Sequence, residues 1–173
     1  MKITNLLTRI IDYVGVFCAI LMCLMLLNVF YDVVMRYLFD DVSIGMQELE
    51  WHLFAAMFMF GIGYTLKEDG HVRVDVFYDQ MSNKTKAWIN ILGSLLLALP
   101  VTLLILYYSV GYSYEAFEMG EGSADPGGLP NRWIIRSVIP ISSLFVILCL
   151  LQVVLIQIEQ LKSPINNQTE ENS

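Results

Sequence analysis

The stretch that constrains this chain most runs from Glu48 to Asp75, ELEWHLFAAMFMFGIGYTLKEDGHVRVD. Two acids and a tryptophan open it. From Trp51 to Leu66 it holds no Asp, Glu, Lys or Arg. It closes on a polar turn, KEDGH, and then the alternation HVRVD. A water-exposed helix does not tolerate such a middle, and crossing a bilayer core takes roughly 20 apolar residues. With Met46 and Leu49 in front, the segment approaches that length. It reads as a membrane span over residues 47–66, with an acidic outer end and a basic loop behind it.

The rest of the chain fits the same solvent. Hydrophobic residues make up 56% of it, an excess that points to an integral membrane protein. The formal charge of −7 argues against nucleic acid as a partner, because phosphate binding needs clustered Lys and Arg. Cys18, Cys23 and Cys149 all lie in apolar stretches, with no CxxC pair and no Cys/His cluster. They read as small buried hydrophobes, not as a disulfide or a metal site.

Three more spans are expected, at residues 10–35, 88–111 and 133–158. The first is too long for the apolar core of a signal peptide and ends in no small-residue cleavage site. As a helix it measures roughly 39 Å, enough to tilt, and Asp32 and Arg36, four apart, face each other on it. Ser43 or Asp41 is positioned to cap the second span and Ser82 the third. Trp88 at one end of the third span and Tyr107, Tyr108, Tyr112 and Tyr114 at the other form an interfacial aromatic belt. Pro100 is expected to kink that span. Between the second and third spans, Val72, Val74 and Val76 alternate with polar residues, which suggests a brief extended segment. Overlapping them, Val74, Phe77, Tyr78 and Met81 fall at helical spacing, and a short amphipathic interfacial helix is the preferred reading after Val74. The loop Glu115–Asn131 is acidic and rich in Gly and Pro, hence irregular. Residues 1–161 thus form one membrane domain, and 162–173 a polar tail read as disordered.

Lys and Arg set the orientation. Lys2, Arg9, Lys67, Arg73, Lys84, Lys86 and Lys162 fall on one side of a four-span chain, and Arg36, Arg132 and Arg136 on the other. Both termini are therefore expected in the cytoplasm, with the loops 36–50 and 115–131 outside.

No constellation of reactive residues emerges. His52 and His71 lie at opposite ends of the second span, about 28 Å apart on a helix, too far to hold one haem. No charge sits deep in any span. Asp12, Asp32, Glu48 and Glu159 are near the ends, and Asn28, Gln152 and Gln157 suit hydrogen bonds between helices. A secondary transporter's ion and substrate sites need broken helices and polar midplane residues, which this chain lacks. Glu48 and Glu50, two apart, point in different directions on a helix. They read as an acidic rim, or as one acid paired with Arg36, Arg132 or a partner's cation. There is no P-loop and no G-x-S-x-G. On the second span, His52, Ala56, Met59 and Gly63 recur at spacings of four, three and four and share one stripe. That stripe packs either inside the chain's own bundle or against a partner, while Leu53, Met57, Phe58 and Phe60 form a bulkier flank suited to lipid or a looser contact.

Two motifs carry a resemblance. Glu48-Leu49, Trp51, Phe54, Gly61 and Gly63, followed by YTLKEDGHVRVDV from Tyr64 to Val76, form the first, and GEGSADPGGLPNRW from Gly120 to Trp133 the second. Together with the order of the spans they resemble the small, DctQ-like membrane subunit of the tripartite ATP-independent periplasmic (TRAP) transporters, closest to the mannitol/chloroaromatic-type branch. The resemblance implies a non-catalytic subunit in a bacterial inner membrane, without cofactors. It implies two partners beside the lipids: a large polytopic membrane subunit carrying the sodium and substrate sites, and a soluble periplasmic binding protein. It also implies sodium-driven import of small carboxylates. The candidate partner-interface residues are Arg36, Glu48, Glu50, His52, Ala56, Met59, Gly63, His71, Arg73, Asp75 and Arg132. The rival readings are a haem-bearing membrane anchor of a redox enzyme and a stand-alone membrane assembly protein. The fold expected is an all-α membrane protein of four transmembrane helices, with the interfacial helix after the second.

Overall fold

The computed structural model describes residues 2–68, 78 and 80–170. Among these residues the fold is all helix, in four rods. Helix α1 spans Lys2–Leu38 and α2 spans Ile44–Lys67. The third rod is α3 (Asn83–Leu92), a π-helical turn (Gly93–Ala98) and α4 (Leu99–Glu118) in sequence. Helix α5 spans Trp133–Glu170. The rods outrun the apolar stretches because helical backbone, once nucleated, extends into polar flanks at little cost. The same extension carries α5 past Lys162, where the composition suggests a disordered tail.

Three helical stretches are long and apolar enough to cross a membrane: Thr4–Leu38, Asn83–Glu118 and Trp133–Lys162. Helix α2 is not one of them. Its charge-free run is diluted by Trp51, His52, Gly61, Gly63 and Tyr64, residues of low hydropathy. Of the expected interfacial helix, Val74 and Phe77 fall outside the described residues; the Met81 N–H donates to the Tyr78 carbonyl at 3.0 Å, and the Tyr78 hydroxyl lies 3.0 Å from the Asn90 amide nitrogen.

Local chemistry explains where the rods begin and bend. Ser43 caps α2, accepting from the Met46 N–H at 3.4 Å, and Ser82 caps α3, accepting from the Thr85 N–H at 3.3 Å. Pro100 lacks an N–H, and its ring opposes the carbonyl one turn back. The wider π turn immediately before it absorbs that conflict, and the Leu99 N–H bonds back to the Ser94 carbonyl. The sequence signal for a kink therefore appears as a π-helical turn.

Helix α5 is the hub. Helices α1, α2, α3 and α4 all pack on it, and α1 packs on α2. Within the crossing stretches 39% of α5 is buried, against 11% for each of the other two, so α5 occupies the middle. The cluster at its centre is Ile11, Phe145 and Cys149, joined by Val14, Phe60, Tyr64 and Leu66. Two glycines permit the close approach. A Cβ on Gly63 would stand 2.5 Å from the Phe145 ring and 3.1 Å from the Cys149 sulfur, and one on Gly15 would stand 2.5 Å from the Tyr64 ring. Phe60 belongs to this core, edge-on to Phe17 at 5.7 Å and 6.0 Å from Phe145, a closer packing than the lipid or looser contact expected of its flank. It lies three and four residues before Gly63 and Tyr64, on the same helix face.

Polarity runs inside out. Asn28, Asp32, Ser109, Ser113, Ser142, Ser143 and Gln152 are buried, whereas Tyr13, Phe30, Leu97 and Tyr107 are largely exposed. Water would penalise that surface, but lipid does not, and helices in lipid associate through small residues and polar contacts. The buried serines bond to carbonyls three or four residues back on their own helices, which keeps the α4–α5 contact tight. Asn28 donates to the Met46 carbonyl at 2.8 Å across α1 and α2, and Gln152 donates to the Thr8 hydroxyl at 2.7 Å across α5 and α1. Cys149 is buried and Cys18 half-buried, but Cys23 is exposed on the apolar surface, unlike the buried site expected.

Candidate functional site

The most elaborate arrangement of polar groups lies where α2 begins. Glu48, one turn inside that helix, aims its carboxylate at the loop joining α4 to α5. One oxygen accepts the Ser123 hydroxyl, and the other accepts the Leu129 N–H at 2.6 Å. The loop is folded to present both donors. The Ser123 N–H donates to the Leu129 carbonyl at 3.0 Å, the Asp125 N–H to the Ser123 hydroxyl at 3.1 Å, and the Gly128 N–H to the Asp125 carbonyl at 3.0 Å. Such a closed circuit leaves few backbone groups to find partners elsewhere.

Glycine is what lets α2 and the loop touch. A Cβ on Gly128 would sit 2.8 Å from the Glu48 carboxylate, and one on Gly45 would sit 3.2 Å from the Gly127 carbonyl. Gly120 and Gly127 take φ of 59° and 84°, left-handed values that other residues adopt with strain. Asn131, at φ 61°, is the non-glycine type that tolerates this region best.

A second contact staples the loop to α5. The Glu121 carboxylate takes Arg136 at 2.5 Å, and Arg132 stands 4.0 Å away. The Arg136 guanidinium also lies 4.0 Å over the Tyr112 ring of α4, and Phe117 meets Trp133 edge-on at 5.4 Å. Glu48, read in the sequence as part of an acidic rim, and Glu121, of the acidic loop, therefore turn inward to hold structure.

Beside the loop, α2 and α4 flank α5 and leave a groove of about 340 Å³. Glu48, His52, Tyr112, Arg132 and Arg136 lie at its loop end, and Ala55, Met59, Val138 and Ile139 line it further in. The His52 ring nitrogen Nδ1 bonds the Glu48 carbonyl. A second, wider recess of about 540 Å³ opens on the other side of α2, between Met25, Arg36, Gln47, Glu50 and Phe54. Glu48 and Glu50 thus face opposite ways, and Arg36 is paired with Asp32, which is buried.

At the far end of the bundle the ties are simpler. Lys67 of α2 pairs with Asp12 of α1 and with Glu68 at 2.9 Å. The Thr4 hydroxyl reaches Glu159 of α5 at 3.2 Å.

Of the residues singled out in the sequence, Glu48, His52, Met59 and Arg132 converge on the groove. Gly63 packs against α5, Ala56 is half-buried on α2, and Arg36 and Glu50 line the second recess. His71, Arg73 and Asp75 lie outside the described residues. Sequence reasoning missed the pairing of Glu48 with Ser123 and Leu129, and of Glu121 with Arg136. The GEGSADPGGLPNRW motif was the available signal, since it holds Glu121, Ser123 and the glycines that Glu48 requires.

Over residues 25–160 the chain matches the family described as tripartite ATP-independent periplasmic transporters, DctQ component. No curated protein matches the chain. The matched stretch is well over half of the 173 residues and includes both Glu48 and the loop it holds, so this protein belongs to the DctQ-component family of TRAP transporters.

Proposed function

We propose that this chain is the small scaffold subunit of a sodium-driven secondary transporter that imports small carboxylates delivered by a periplasmic binding protein. Four helices cross the inner membrane in this reading. Helix α2 supplies the second crossing, with the acids Glu48 and Glu50 at one end, Lys67 at the other and a charge-free stretch between. Both termini lie in the cytoplasm and the Glu48 clamp faces the periplasm, as the distribution of Lys and Arg requires. A large polytopic subunit holds the moving parts and the sodium and substrate sites.

One observation carries the scaffold reading: four carboxylates near the span ends, Asp12, Asp32, Glu48 and Glu121, are each tied to a group of the chain itself. Asp32 holds Arg36, Asp12 holds Lys67, Glu121 holds Arg136, and Glu48 holds the loop. A coupling-ion site needs carboxylates or carbonyls turned toward an ion path, usually at a helix break near the midplane. The π turn before Pro100 carries Leu95, Leu96 and Leu97, exposed on the apolar surface, with Ser94 as its one polar side chain and no carboxylate to hold an ion.

The test is transport by the complete complex in proteoliposomes. Asp12, Asp32, Glu48, Glu50 and Glu159 are neutralised one at a time. Each variant that assembles is expected to keep the parent's sodium stoichiometry. A variant that leaves the complex intact yet alters the stoichiometry would place an ion site in this chain and overturn the reading.

A further inference from the structure

The groove runs between α2 and the start of α5, with Tyr112 of α4 at its mouth, and is amphipathic along its length. Its loop end carries Arg132 and Arg136, with Tyr112 on one rim and Trp51 on the other. Both aromatics are exposed, as side chains at a headgroup boundary are. Further in, the walls are the apolar Ala55, Met59, Val138 and Ile139.

The two arginines are not equivalent. Arg136 is committed, bonded to Glu121 at 2.5 Å and stacked on Tyr112. Arg132 is 4.0 Å from Glu121, beyond hydrogen-bond reach, and its guanidinium donates no hydrogen bond to another described residue. Glu48 acts on it through space and not by contact: no hydrogen bond or ion pair joins the two, and the carboxylate's short bonds go to Ser123 and Leu129. A guanidinium offers a fork of donors that suits a phosphate.

The order of the lining suits a lipid: a cationic and aromatic mouth, where a headgroup sits, leads into apolar walls that an alkyl chain can cover.

We propose that this groove seats one phospholipid, with its phosphate on Arg132 and an acyl chain running along Ala55, Met59, Val138 and Ile139. The lipid lies along the crevice between α2 and α5, with Tyr112 of α4 at its mouth, and completes the packing at the loop end of the bundle. A free phosphate would use Arg132 alone and leave the apolar walls uncovered.

Native mass spectrometry of the delipidated full-length chain tests this. The probes are dioleoylphosphatidylglycerol, dioleoylglycerol with the same chains and no phosphate, and inorganic phosphate. The parent is expected to take up one dioleoylphosphatidylglycerol, and to bind each of the other two probes at least about tenfold more weakly. Arg132→Gln removes a charge-assisted contact and is expected to weaken phospholipid binding roughly tenfold. Ala55→Trp and Val138→Trp fill the groove from opposite walls and are expected to have a similar effect. Only variants that melt like the parent are scored, and Arg132→Gln stands even where a tryptophan variant fails to fold. Unchanged binding by Arg132→Gln would overturn the assignment, as would inorganic phosphate binding as tightly as the lipid. So would a complex in which a cysteine placed at Ala55 cross-links to a helix of the large subunit and the lipid is absent.

Discussion

Gly61 and Gly63 lie two residues apart on α2, and the structure gives them opposite surroundings. A Cβ at Gly61 meets nothing within 4 Å, whereas one at Gly63 would stand 2.5 and 2.7 Å from two Phe145 ring carbons and 3.1 Å from the Cys149 sulfur. Replacing either by alanine gains the same helix propensity, about 1 kcal/mol, by removing the glycine's backbone freedom. That gain cancels when the two variants are compared, so the difference between them reports packing alone. Contacts this short cannot be kept, and Phe145, itself buried beside Phe60, has little room to rotate. Forcing a methyl group into such a site costs about 1–3 kcal/mol. Gly63→Ala is therefore expected to be less stable than Gly61→Ala by that amount, and Gly63→Leu less stable still. The assay is reversible unfolding of the subunit expressed alone in mild detergent. Phe145→Leu in the Gly63→Ala background closes a double-mutant cycle and is expected to recover part of the loss, because it vacates the space that the new methyl needs. Equal stability of the two alanine variants, or a cycle with no coupling, would refute the claim that α2 and α5 lock through this glycine.

Glu48→Gln and Gly128→Ala strike the same clamp from its two sides, one by weakening the acceptor and the other by driving a methyl group to 2.8 Å from it. Both are expected to raise amide exchange across residues 121–131 and leave α1 protected, and a pattern confined to one variant would break the link between them. For topology, Ala124 is exposed in the loop and Asn83 is exposed at the start of α3. With the native cysteines replaced, an impermeant thiol reagent on spheroplasts is expected to label Ala124→Cys and spare Asn83→Cys, and the reverse would invert the orientation.

Much of this fold is legible in the sequence because membrane helices announce themselves through unbroken apolar runs, and Ser43 and Ser82 mark two of their starts. The inner faces are harder to read. In water, hydrophobic periodicity tells a helix which side to bury, but in lipid both sides are apolar and the pattern vanishes. Phe60 illustrates this: nothing in its type separates it from the exposed Phe58, and only its register with Gly63 and Tyr64 places it in the core. The small polar residues carry the missing signal. Asn28, Ser109, Ser113, Ser142 and Gln152 are each buried, because in a bilayer a polar side chain is cheapest against another helix. The clamp was hidden for a different reason. Glu48 and Leu129 are far apart in sequence, and an acid near a helix start looks the same whether it faces water or a loop.

The clamp changes which acids a partner can meet. On composition alone, the loops before α2 and after α4 form one negatively charged surface. In the structure, Glu48 is folded under its loop and Glu121 is bound to Arg136, while Asp40, Asp41, Glu115 and Asp125 remain exposed. The two sets answer to different physics. Removing an inward acid breaks hydrogen bonds and loosens the loop whatever the salt concentration. Removing an outward acid leaves the loop's shape intact and alters only a field that ions screen within about 10 Å at 0.1 M salt. The first set therefore gives the loop a fixed shape, and the second decorates that shape with charge. A rigid, decorated loop is what the stationary subunit proposed above needs if its neighbours are to move against it.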